Sequence, residues 1–249
     1  AQNYIATGKS KVSLTIGKML FLSALAGVFI ALAGVASTTA SVSVFQPSVG
    51  KLLGACVFPG GLTMVLLAGS ELFTGNTLLV IPLFQREITC RAMLRNWLFV
   101  YIGNLIGSVL VAAAVVYCHQ LSLFDHSLAV SVFSTAAAKC SMPFGQAFVK
   151  GILCNFLVCI AVWISFAAKD VISKIAGLFF PIMFFVVSGF EHSVANMYFI
   201  SVGIFAKMVP EYAQAAQTAG IDISGVNWGS FWTSNLIPVT LGNIVGGAV

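Results

Sequence analysis

Gly69-Ser70-Glu71-Leu72-Phe73-Thr74-Gly75-Asn76 decides the fold of this chain, because nearly the same stretch returns as Gly189-Phe190-Glu191-His192-Ser193-Val194-Ala195-Asn196. Both copies have the spacing Gly-x-Glu-x-x-x-x-Asn, and both place a carboxylate inside a long apolar run. A second echo follows each. Asn96-x-Leu98-x-Val100-x-x-Gly103-Asn104-Leu105-Ile106-Gly107 matches Asn235-x-Ile237-x-Val239-x-x-Gly242-Asn243-Ile244-Val245-Gly246. Together they mark an internal duplication in which one helix of each half breaks at membrane depth. Paired broken helices point to the place where a permeant species is handled.

Composition sets the solvent. The 249 residues are 59% hydrophobic and only 8% charged, with a mean hydropathy of +1.01. A soluble domain carries about 25% charged residues, so a soluble class is excluded. The net charge of +5 has no cluster of Lys and Arg interleaved with aromatics, which excludes nucleic acid as a partner. The chain opens on Ala1 rather than Met, as expected of a piece of a longer chain, and no signal-peptide cleavage pattern is evident. None of the six cysteines forms a C-x-x-C pair, so neither a metal nor a redox site is expected. Cys118 and Cys140 flank one loop and are the one candidate pair. Free thiols are the expectation.

Six hydrophobic segments follow, at about 17–44, 53–84, 96–118, 145–168, 175–206 and 230–249, with the breaks in the second and fifth. Each is long enough to span a bilayer or nearly so. Lys9, Lys11 and Lys18 alternate with apolar residues ahead of the first, which reads as an amphipathic arm on the membrane surface. Lys and Arg concentrate on the side holding the N-terminus, Arg86, Arg91, Arg95, Lys169 and Lys174. Both termini are therefore expected in the cytoplasm of a multi-pass protein of the cell membrane. The reading is a single transmembrane domain, 1–249, whose repeats cover about 17–118 and 145–249. Three crossings per repeat make the second copy insert upside down. The two Gly-x-x-x-Gly pairs are expected to pack helices closely.

A helix broken inside lipid exposes backbone groups that lipid cannot satisfy. Glu71, Asn76, Glu191 and Asn196 are read as caps of the breaks, with a cation-selective filter of carboxylates as the alternative. His192 is the only histidine inside a predicted segment, and imidazole changes charge near neutral pH. It is a functional candidate, with a neutral ring held by Thr74 of the opposing break as the bland reading; both can hold at once. Lys139 lies in the loop 119–144, so apolar over 128–133 and 136–138 that it is expected to dip back toward the protein; there the lysine would concentrate anions, or else is an ordinary interfacial lysine. Lys150 is expected to snorkel to the interface. Phe58, Leu62, Leu72, Phe73, Val158 and Phe185 read as helix packing. As a ring around a path they would oppose bare ions.

The two break motifs, with Gly151-Ile152-Leu153-Cys154-Asn155-Phe156-Leu157-Val158-Cys159 between them, resemble the signatures of the formate/nitrite transporter family, the clostridial hydrosulphide-channel branch in particular. The resemblance covers essentially the whole chain. It implies an all-α, aquaporin-like protomer of six transmembrane helices in two inverted three-helix repeats, the second and fifth broken. It also implies a homopentamer with one pore per protomer. Position by position, His192 matches a central histidine and Thr74 the threonine facing it. Asn155 matches a pore-lining asparagine and Lys139 an anion-drawing lysine. The six apolar residues above match two hydrophobic constrictions. The expected function is a passive channel for small monovalent anions of weak acids such as hydrosulphide, formate or nitrite. A water or neutral-solute channel is the alternative. No cofactor is expected, and no enzyme: side chains of the adjacent His192 and Ser193 diverge on a helix, so they form no nucleophile–base pair.

Overall fold

The computed structural model of the protein describes residues 2–248, and every regular element among them is helical. The N-terminal half holds α1 (Gln2–Ser13), α2 (Ile16–Ser41), α3 (Pro47–Val57) and α4 (Pro59–Leu67). Phe58 alone separates α3 from α4, where Pro59 brings no N–H to continue the ladder. Helix stops at Leu67 and resumes at α5 (Phe73–Asn76), which runs through a 3-10 turn (Thr77–Leu79) into α6 (Val80–Phe84). α7 (Cys90–Tyr117) closes this half. The other half holds α8 (Ser127–Cys140), α9 (Phe144–Ala167), α10 (Val171–Val187), α11 (Ser193–Ala206), α12 (Pro210–Thr218), α13 (Trp228–Ser230), a π turn (Phe231–Leu236) and α14 (Ile237–Ala248).

Four stretches are long and apolar enough to cross a membrane: Ile16–Ser41, Pro47–Leu67, Cys90–Tyr117 and Phe144–Ala167. The remaining apolar helices, including 73–84, α8 and α10, fall short of that length. Two of the expected long segments are divided because the backbone leaves helix at 68–72 and at 188–192.

The main packing joins α2 to α7 and α9 to α14, and small residues make it close. A side chain at Gly107 would run into the carbonyl of Ala24, and one at Gly246 into that of Ile152. Gly242 meets the Phe148 carbonyl in the same way, while Gly103 meets the Ser23 side chain. Helix backbones touch here, as the Gly-x-x-x-Gly spacing predicts, and they do so within one chain. Asn96, Asn104, Asn155, Asn235 and Asn243 are fully buried between these helices, so each must find hydrogen bonds inside the protein.

Three local readings gain detail. The N-terminal arm packs on the protein's own helices. α1 docks into the protein, with Tyr4 buried edge-on against Phe166 at 5.1 Å, and Arg95 donates to the carbonyls of Val12 and Leu14. The loop around Lys139 is a helix, α8, whose Leu128, Val132, Phe133 and Ala136 are buried. Its apolar face packs against α11 and α12, which removes it from water and agrees with a segment that turns back toward the protein. Lys150 is partly exposed and lines a vestibule. All six cysteines are free.

Candidate functional site

The two breaks are built alike. Gly69 and Gly189 take left-handed conformations (φ 67° and 70°), which glycine adopts without a Cβ penalty. The next glutamates are buried, Glu71 at 5% and Glu191 at 4% exposure. Lys11 donates to Glu71 at 2.8 Å; Lys139 donates to both oxygens of Glu191 at 2.9 Å. Asn76 donates to Glu71 (2.7 Å) and to Asn96 (2.9 Å); Asn196 donates to Glu191 (2.6 Å) and to Asn235 (2.7 Å).

The glutamates do not take the first helical N–H groups, as their position suggested. Asn104 Oδ1 accepts from the Phe73 N–H at 2.9 Å while its amide donates to the Glu71 and Ser23 carbonyls. Asn243 does the same for Ser193, Glu191 and Gly151. These two asparagines stitch each break to its neighbours. The second sequence echo was their signal, read only as packing. Lys11 also escaped the sequence reading. It precedes Lys139 by 128 residues, the separation of Leu22 from Lys150, whose carbonyls accept from Glu71 and Glu191 respectively. The correspondence between halves therefore reaches back to α1 and α8.

His192 stands where the two breaks meet. Its Nδ1 accepts the Ala195 N–H at 3.0 Å, so that nitrogen carries no proton and a neutral ring has its hydrogen on Nε2. Nε2 lies 2.8 Å from Thr74 Oγ1 and donates to it. Phe185 stacks on the ring at 5.8 Å, and Phe58 meets Phe185 edge-on at 5.7 Å. Asn155 sits behind Thr74, its amide within reach of the Thr74 carbonyl (3.2 Å), Thr77 Oγ1 (3.0 Å) and the Asn243 carbonyl (2.6 Å). Its Oδ1 has no protein partner. It buttresses the threonine and lines none of the three cavities described next.

Two vestibules approach the histidine from opposite breaks. One, of about 500 Å³, is lined by Lys11, Lys18, Glu71, Leu62 and Leu72 among others. The other, about 410 Å³, is lined by Lys51, Lys139, Lys150, Glu191, Phe58, Phe185 and His192 among others. Between them lies a cavity of about 10 Å³ walled by Ile30, Phe58, Leu62, Leu72, Val158, Ile182, Phe185 and His192. It shares Leu62 and Leu72 with the first vestibule and Phe58, Phe185 and His192 with the second. The structure thus brings five of the six apolar candidates to one narrow, mostly apolar slot. Phe73 is set apart, packed edge-on against Tyr101 (5.0 Å) and Trp97 (6.2 Å), because a residue one step along the half-helix points to α7. Ile30 and Ile182 complete the wall. Nothing in their helical runs separates them from ordinary packing residues.

A family model described as "Formate/nitrite transporter" matches residues 1–249. The chain belongs to the formate/nitrite transporter family. It is 38% identical to the probable formate transporter of Methanothermobacter thermautotrophicus, over 98% of this chain and 89% of that protein. It is 41% identical to the formate channel FocA of Haemophilus influenzae, over 90% of this chain and 80% of that one. Among solved structures, a pentameric formate channel with formate bound superposes with a TM-score of 0.84 at 35% identity, covering 93% of this chain and 92% of the other. This member of the formate/nitrite transporter family is therefore a multi-pass, all-helical membrane protein with the fold of a channel. The named relatives are channels and transporters of formate, not enzymes, and they do not favour a water or neutral-solute channel.

Proposed function

We propose that this formate/nitrite transporter family member is a passive channel for small monovalent anions of weak acids, formate first. The proposal includes a homopentamer in the cell membrane, both termini cytoplasmic. Each protomer has six spans in two inverted repeats, with α4/α5 and α10/α11 as the broken second and fifth helices. Residue-for-residue likeness of the two breaks supports the inverted duplication. The pentameric state of the similar formate channel supports the assembly. Relatives named for formate support that substrate; hydrosulphide rests on the sequence resemblance, and nitrite also on the family's name.

One observation carries the reading: His192, held 2.8 Å from Thr74, walls an apolar slot that shares residues with a lysine-lined vestibule at either end. An apolar slot penalises a bare charge heavily. The same penalty favours the neutral form of any weak acid that enters. His192 shares protons by hydrogen bonding rather than by carrying an extra one. Protonating Nδ1 would oppose two N–H groups, its own and that of Ala195. With Nε2 donating to Thr74, the ring stays neutral and adds no charge to the slot it walls. The guest draws its proton from water in the vestibule and crosses as a nearly neutral acid.

Flux into proteoliposomes tests this, comparing formate, nitrite, hydrosulphide, chloride and water. Formate flux is expected to exceed chloride flux. His192→Ala, which loses the Ala195 and Thr74 partners together, is expected to slow formate about tenfold, the effect of one or two lost hydrogen bonds. His192→Asn, able to keep the Ala195 bond, is expected to slow it less. Unchanged rate and unchanged pH profile in both variants would remove the histidine from the mechanism.

A further inference from the structure

The vestibule on the Lys139 side holds more positive charge than its ion pair accounts for. Lys51 from α3, Lys139 from α8 and Lys150 from α9 line it, and Glu191 is the acidic residue facing them. Lys139 gives its ammonium to both oxygens of that glutamate, so the pair is electrically closed. Lys51 and Lys150 have no carboxylate partner among the described residues. Lys51 also lies within electrostatic reach of Lys139, Glu191 and Lys150, so these charges act on one volume. The opposite vestibule repeats the closed pair as Lys11 with Glu71, but there, among the described residues, Lys18 is the one lining cation with no carboxylate partner.

We propose that Lys51 and Lys150, not Lys139, form the collecting site for small monovalent anions in this vestibule, and that Lys139 is the buried counter-ion of Glu191. This rests on the channel reading above. Drawing Lys139 toward a passing anion would strand a buried carboxylate, and losing one partner of a buried pair is strongly unfavourable. Lys51 and Lys150 face no such penalty. Their two charges, on the walls of a concave site, focus the field on the approach to Phe58, Phe185 and His192. Collection by this site is stronger than at the other mouth, where among the described residues one lining cation lacks a carboxylate partner.

Intact cells expressing the full chain hold every copy in one orientation, so formate uptake and efflux sample the two mouths separately. At low ionic strength, Lys51→Gln with Lys150→Gln is expected to raise KM about fivefold in the direction that starts on this side. That is the Boltzmann factor for two unit charges acting through water at about 8 Å. The saturating rate is expected to hold, and the KM rise to fade above about 0.1 M salt, where the Debye length is about 10 Å. Lys51→Arg with Lys150→Arg keeps the charges and is expected to keep the wild-type KM. A glutamine pair with wild-type KM and salt dependence overturns the proposal, as does an arginine pair impaired equally. If the double variant fails to reach the membrane, Lys51→Gln alone is expected to raise KM about twofold by the same arithmetic, and no change overturns the proposal. Chloride NMR line broadening by the purified protein provides a readout without transport. Broadening that weakens in the glutamine pair supports the site even if formate does not flow, in which case the channel reading alone fails. Identical broadening with normal formate flux defeats the site alone.

Discussion

His192 offers one ring nitrogen to the backbone of Ala195 and the other to Thr74, so a residue whose type suggests titration is held here as a neutral donor. Thr74→Val removes the acceptor and leaves a buried N–H unpaired. A loss of about 1–3 kcal/mol is expected, read as a lower midpoint in thermal unfolding together with slower formate flux. Thr74→Ser keeps the hydroxyl and should retain most of both. At Glu191 the expected effect is structural. Glu191→Gln leaves Lys139 half-buried without its counter-charge, at about 3–5 kcal/mol, and Lys139→Gln added to it should recover part of that loss. A double variant no more stable than Glu191→Gln alone would show that the asparagines, not the ion pair, hold this break.

Each break depends on a long helix beside it as much as on its own residues. Asn104 on α7 and Asn243 on α14 supply the acceptors for the first N–H of α5 and α11, and glycines a few residues away let those helices come close enough to do so. Gly107→Ala or Gly246→Ala would push a methyl into a backbone carbonyl that cannot yield like a side chain. About 1–3 kcal/mol or more of destabilisation is expected, along with loss of flux as the neighbouring break shifts. At the exposed start of α10, Asp170 caps Ser173 N–H at 2.9 Å and its hydroxyl at 2.7 Å. Those two bonds, the backbone one first, hold its carboxyl below the ordinary carboxylate value. A depressed folded pKa means that its stabilisation is complete above about pH 4 and is lost as the pH falls through the folded value. Asp170→Asn should therefore narrow the difference in thermal midpoint between neutral and acid conditions; an unchanged difference would exclude the cap as its source.

Across the whole molecule, two lysine-lined vestibules meet at a slot of about 10 Å³, and that arrangement predicts selection by acid strength. Formate uptake should rise as the external pH approaches the carboxylate range near 4, because more of the anion can cross as its acid. Chloride, whose acid is strong, should show no such rise; parallel pH profiles for the two would rule out passage in neutral form. The duplicated Gly-x-Glu-x-x-x-x-Asn stretches, the apolar segments and the family signatures were all legible in the sequence, because breaking a helix in lipid requires particular residues at fixed local spacing. The His192–Thr74 pair could be anticipated for the same reason. Which nitrogen holds the proton could not, since that depends on a backbone N–H three residues along and a hydroxyl from the other half of the chain. The partners of Glu71 and Glu191, the inward turn of Phe73, the docking of α1 and the unpaired state of Lys51 and Lys150 were decided by tertiary structure alone. They depend on which surfaces face one another once distant segments pack, and no local spacing encodes that.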